Sequence, residues 1–169
     1  MDLVQELQFD INFEEILEVT TEVESSYSMF KDLGGCSLQS RTSVPSPWNL
    51  YDGLSGMREY PNSTTESEFN NLNNDFKNTE FEKIINHFKL YRSRLLLLER
   101  RTNYSIHTDK GWRLHLPIHT NKQCRFYYSK YEKEFHLEAG KFYKVYVGTP
   151  HTFFNSSNDK RIHFVATII

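Results

Sequence analysis

The 169-residue chain is long enough for one domain with a real core, and it carries a formal net charge of −2 with both signs interspersed. Such a balance offers no basic field for nucleic acid or an anionic membrane surface. The longest apolar run, residues 95–98, is four leucines, far short of a membrane span.

Taken in chain order, the N-terminal MDLVQELQFD is acidic and has no signal-peptide pattern, so a cytoplasmic protein is expected. Within it VQELQFD alternates and reads as an edge strand. Asn12 can cap a helix through NFEEILEVTTEV, with Phe13, Ile16 and Leu17 on one face. Residues 34–60 hold Gly34, Gly35, Pro45, Pro47, Gly53 and Gly56 and read as loops around short strands. NSTTESEFNNLNND (62–75) is polar and reads as a surface loop, with a lid over a site as one possible use. Thr79 precedes EFEKIINHFKL, an expected helix capped by that threonine and buried through Phe81, Ile84, Ile85 and Phe88.

From Tyr91 the period changes to two. RSRLLLLER, YSIHTD, WRLHLPI, CRFYYSKY, EFHLEAG, KFYKVYVG, HTFFN and RIHFVATII follow one another, several separated by turn residues. With 13 Phe and 10 Tyr to fill an interior, short strands at this spacing predict a mainly β protein built on a sandwich or barrel. The expected organisation is a single domain, 1–169. A helical and looped part, 1–84, would pack on a β core, 85–169, that carries the site. The two cysteines, Cys36 and Cys124, lie far apart in sequence and read as free thiols.

The histidines cluster. YSIHTDKGWRLHLPIHT (104–120) holds three of the seven. In a strand, His107 and Asp109 share a face and could grip one metal from adjacent corners. His151, after Pro150, could supply a third ligand from another strand. Two imidazoles and a carboxylate on one side of an octahedron suit Fe(II) better than zinc. His-x-Asp is common by chance, and a polar group in a buried strand is the competing reading. Arg161, ten residues after His151, sits among Ile162, Phe164 and Val165 and needs a partner that no neighbouring acid supplies. A dicarboxylate ligand would supply one. Arg113 and His115 share a strand face, pointing either inward or to solvent. His163 shares a face with Arg161.

In order and spacing, IHTD (106–109), RLHLPIHTN (113–121), TPHTFFN (149–155) and RIHFV (161–165) resemble the aspartyl/asparaginyl β-hydroxylase family of Fe(II)- and 2-oxoglutarate-dependent oxygenases, in a short microbial or phage form. The resemblance covers residues 92–165 and implies a double-stranded β-helix, or jelly-roll, core. It implies that His107, Asp109 and His151 hold Fe(II) and that Arg161 binds 2-oxoglutarate. It puts Arg113 and His115 along the cosubstrate pocket, with Ser93 and Asn155 as further contacts. The implied reaction consumes O2 and hydroxylates an unactivated carbon of an amino acid or peptidyl residue, releasing succinate and CO2. No nucleic-acid or membrane partner is expected. Two other readings stand beside it: a cupin-type metalloprotein that uses no 2-oxoglutarate, and a non-catalytic β-barrel binding module. The pairing of the His/Asp/His set with an inward arginine separates the first reading from both.

Overall fold

The computed structural model describes residues 2–41 and 65–169. Strand β1 (Val4–Leu7) precedes helices α1 (Phe13–Ser26) and α2 (Phe30–Leu33). Short strands β2 (Gly35–Ser37), β3 (Gln39–Ser40) and β4 (Asn71–Leu72) come before helix α3 (Glu80–Phe88). The remainder is β: β5 (Tyr91–Leu98), β6 (Thr102–Asn103), β7 (Trp112–His119), β8 (Cys124–Tyr128), β9 (Lys133–Phe135), β10 (Phe142–Tyr146), β11 (His151–Asn155) and β12 (Arg161–Ile168). The chain divides into two compact units, one of residues 1–10 and 96–165, the other of 11–95 and 166–169.

The first unit holds two antiparallel sheets. One runs β1-β10-β7-β12 and the other β6-β11-β8-β9. From β6 onward the chain passes from one sheet to the other: β6, then β7, β8 and β9, then β10, β11, β12. This is the crossing pattern of a double-stranded β-helix, which buries one face of each sheet against the other. Strand β8 shows the cause locally, since Cys124, Phe126 and Tyr128 are buried while Arg125 and Tyr127 are half-exposed. Phe126 meets Phe153 of β11 edge to face at 5.6 Å, and Leu98, Cys124, Tyr128, Leu137, Tyr143, Val145 and Val147 complete the cluster. The N-terminal strand belongs to this unit. β1 pairs with β10, Val4 opposite Val145 and Leu7 opposite Phe142, and forms the sheet's edge as the alternation of VQEL predicts.

The second unit begins with α1, where the Asn12 side chain accepts from Glu15 N–H at 3.3 Å. Ile16, Thr20 and Val23 form its fully buried line, and Phe13 and Leu17 flank it half-buried. Thr20 tolerates burial by donating to the Ile16 carbonyl at 2.7 Å. At α3 the expected capping by Thr79 is not made: its hydroxyl donates backward to the Phe76 carbonyl at 2.7 Å. The Glu15 carboxylate instead accepts from Glu80 N–H at 2.8 Å, so a neighbouring helix supplies the cap. The polar stretch 65–75 is not a loose surface loop. It forms β4 against β3 and two 3-10 turns, and it buries Phe69 and Asn73 completely or nearly so. The two aromatic residues in and after this stretch, Phe69 and Phe76, outweigh its polar composition. Gly53, Gly56 and the prolines of 42–60 lie outside the described residues.

Candidate metal centre

The three expected ligands come together at one edge of the four-stranded sheet. His107 and His151 form an isolated antiparallel bridge and exchange both backbone hydrogen bonds. His107 N–H donates to the His151 carbonyl at 3.0 Å, and His151 N–H to the His107 carbonyl at 2.9 Å. Residues opposed in an antiparallel ladder project to the same face. The two rings accordingly stand with centroids 4.5 Å apart. Asp109, two residues on, brings a carboxylate oxygen to the same place. Its own N–H is tied to the Val147 carbonyl at 3.0 Å. One donor atom from each of the three lies within 4.8 Å of the others.

Carbonyl oxygens fix the histidine tautomers. His107 Nδ1 lies 2.7 Å from the Ser105 carbonyl and His151 Nδ1 lies 2.9 Å from the Thr149 carbonyl. Because a carbonyl only accepts, each Nδ1 carries the proton and each Nε2 keeps its lone pair, as a metal ligand requires. Burial lowers the His151 pKa, against the opposing pull of the Thr149 carbonyl, and so favours the neutral, ligating ring. Phe126 stacks on His151 at 5.1 Å and 9°, holding the ring plane. Asp109 Oδ2 stands 3.9 Å from His107 Nε2 and 3.8 Å from Arg113 Nη2. Separations longer than hydrogen bonds suit donors that share one ion at about 2 Å each. Two imidazoles and a carboxylate are the donor set that iron(II) accepts while keeping other positions open.

The bottom of the barrel is different. Arg161 is only 1% exposed, and its guanidinium carbon lies 3.4 Å from the Phe153 ring centroid. It donates to the Tyr104 hydroxyl, while its Nε and Nη1 have no hydrogen-bond partner among the described residues. Burial pushes its pKa down to about 10, which leaves it charged at neutrality. Arg113 and His115 are buried, so the inward reading of that face holds; Arg113 Nη1 donates to the Lys110 carbonyl at 3.0 Å. The opposite face of β7, with Leu114 and Leu116, is buried too.

Tyr104 was invisible to strand periodicity, which puts it on the face opposite His107. The register explains its turn inward. Asn103 pairs with Phe154 and Thr102 with Asn155, whereas His107 pairs with His151, a slip of one residue. The extra residue is a bulge between 104 and 107, which switches the inward-facing parity. Thus Tyr104 and His107 both face the interior, and Ile106 is left 57% exposed. YSIHTD is therefore an irregular edge rather than a continuous strand.

Two expected cosubstrate contacts are engaged with protein. Asn155 donates to the carbonyls of Leu98, Glu99 and Asp159 and accepts from the N–H and hydroxyl of Ser157. These bonds hold the turn that leads into Arg161. Ser93 belongs to the second unit, where its N–H and hydroxyl both donate to Gln39 Oε1 at 3.1 and 2.9 Å. His87 is exposed, His119 and His136 are half-buried, and Trp112 packs on Tyr146 at 5.1 Å with Lys144 over its ring. Cys36 and Cys124 are buried free thiols. No helix among the described residues is long and apolar enough to cross a membrane.

No family model and no curated protein matches this sequence. Solved structures do match its fold. AviO1 from Streptomyces viridochromogenes Tue57 aligns with a TM-score of 0.57 and 11% identity, over 98% of this chain and 88% of that one. The viral collagen prolyl hydroxylase vCPH from Paramecium Bursaria Chlorella virus-1 aligns in truncated form with a TM-score of 0.54 and 7% identity, over 99% and 91%. In its 2OG complex the same enzyme gives 0.52 and 8%, over 99% and 97%. At such identities the likeness is one of fold. The aspartyl/asparaginyl β-hydroxylase resemblance rests on the residue motifs alone.

Proposed function

We propose that this protein is an Fe(II)- and 2-oxoglutarate-dependent dioxygenase that hydroxylates an amino acid or a peptidyl residue. The observation that carries the proposal is Arg161, a buried cation without a carboxylate partner among the described residues, in the unit that also holds the His107, Asp109 and His151 donors. A buried, uncompensated charge is costly, and a dicarboxylate ligand removes the cost. A cupin metalloprotein without 2-oxoglutarate has no use for that arginine, and a binding module has no use for the donor set.

His107 and His151 would hold the metal through Nε2, with Ser105 and Thr149 keeping the rings oriented. Asp109 would complete the set, and Arg113 would steady its carboxylate from 3.8 Å. Arg161, anchored on Phe153 and Tyr104, would grip the distal carboxylate of 2-oxoglutarate. Phe126 and Phe153 would exclude water between the two ends. Iron, when bound with 2-oxoglutarate, supplies the dioxygen chemistry that replaces a C–H bond by C–OH and releases succinate and CO2. The substrate class follows from the resemblance, an amino acid or a peptidyl residue, and the fold neighbour vCPH is named as a collagen prolyl hydroxylase.

An anaerobic titration tests this. Metal-free protein given Fe(II) and 2-oxoglutarate together should develop a weak visible charge-transfer band that neither gives alone. Iron binding without the band would favour the cupin reading, and no iron binding would favour the binding module.

A further inference from the structure

His163 has no part in the scheme above, yet it is the least satisfied polar side chain in the first unit. It is 0% exposed, and neither ring nitrogen has a hydrogen-bond partner among the described residues. Buried polar groups in folded proteins are nearly always paired, so an exception asks for a ligand or water. Its surroundings are those of the proposed cosubstrate cavity. It lies two residues from Arg161 on one face of β12. Its ring stands edge-on to Phe153 at 5.0 Å and to His115 at 5.9 Å. Phe153 is also the ring beneath the Arg161 guanidinium. One wall therefore carries three nitrogens in want of a partner, two on Arg161 and at least one N–H on His163.

Burial, and then the nearby Arg161 charge, hold His163 well below the ordinary histidine range, so the ring is neutral. A neutral imidazole adds a donor without adding a second buried charge. One cation and one neutral donor match a ligand whose oxygens outnumber what a single guanidinium can serve.

We propose that His163 is a cosubstrate-contacting residue, its ring N–H donating to an oxygen of bound 2-oxoglutarate. This rests on the reading of the site as a 2-oxoglutarate cavity. The cost of the arrangement falls on the ligand-free protein, which must bury an unpaired imidazole. A purely structural histidine would show the reverse, stabilising the empty protein and leaving ligand affinity alone.

The test uses the full chain as wild type, His163→Leu and His163→Gln, each loaded anaerobically with Fe(II) and titrated with 2-oxoglutarate while the charge-transfer band is followed. His163→Leu should weaken 2-oxoglutarate binding by about tenfold, the scale of one lost hydrogen bond in a dry site, and His163→Gln should recover most of it. Fe(II) affinity should be the same in all three, and ligand-free His163→Leu should melt no lower than wild type. A His163→Leu protein with wild-type 2-oxoglutarate affinity overturns the proposal alone. A wild-type protein that binds iron but gives no band overturns the parent reading and this proposal together. Should His163→Leu fold poorly, the wild-type ring answers directly. With Zn(II) in place of iron, 2-oxoglutarate should shift the His163 ring nitrogen resonances, and unshifted resonances overturn the proposal.

Discussion

The two ends of the site are built on opposite terms. At the mouth, the side chains of His107 and Asp109 are 41% and 44% exposed, and backbone hydrogen bonds set the geometry. At the bottom, Arg161 and His163 are 1% and 0% exposed, and burial sets their energetics. Water reaches the mouth, so its polar side chains cost little to leave there. The bottom has no such exposure: Arg161 keeps the Tyr104 hydroxyl, while its Nε and Nη1 and both His163 ring nitrogens have no partner among the described residues. The contrast teaches that metal affinity and cosubstrate affinity should be separable by mutation, because different physics supports each.

The largest expected effect breaks the mouth. His107→Ala or His151→Ala should abolish iron-dependent turnover while circular dichroism and melting stay near wild type, and wild-type activity in either would remove that residue from the ligand set. Next, Arg161→Met should raise the 2-oxoglutarate requirement at least about a hundredfold, since leaving a buried carboxylate unpaired costs about 3–5 kcal/mol. Iron binding, measured by the same anaerobic titration, should be unchanged; an unchanged 2-oxoglutarate requirement would end the role of Arg161. Tyr104→Phe probes the bottom more gently. It removes one hydrogen bond to Arg161, and a net loss of about 1 kcal/mol predicts roughly fivefold weaker 2-oxoglutarate binding. The smallest effect on the ligand is expected at Asn155. Asn155→Ala should lower stability by about 1–3 kcal/mol in denaturant melts, through carbonyls left unpaired, with 2-oxoglutarate affinity within a few-fold of wild type. A large affinity loss with unchanged stability would instead make Asn155 a direct contact.

Much of this could be read from the chain. Period-two runs marked the strands from Tyr91 onward, and a helix cap marked α1, because hydrophobic alternation and capping are local. His107, Asp109 and His151 could be singled out as candidate ligands from residue type and the i, i+2 spacing, and the structure brings their donor atoms within 4.8 Å of one another. The sequence went astray where a distant partner overruled a local signal. Polar composition hid the burial of Phe69 and Asn73, and Glu15, from another helix, took over the cap expected of Thr79.

By itself, then, the sequence determined the β core and marked His107, Asp109, His151 and Arg161 as candidates, because residue type and local spacing are readable in a single chain. Tertiary structure decided the rest. The one-residue slip between the Asn103 and His107 pairings turned Tyr104 inward. The pairing of His107 with His151 across the sheet brought two rings to 4.5 Å, and closure of the barrel left His163 buried without a partner. Register and burial arise from pairings between segments far apart in the chain, and no local pattern encodes which residue will face which.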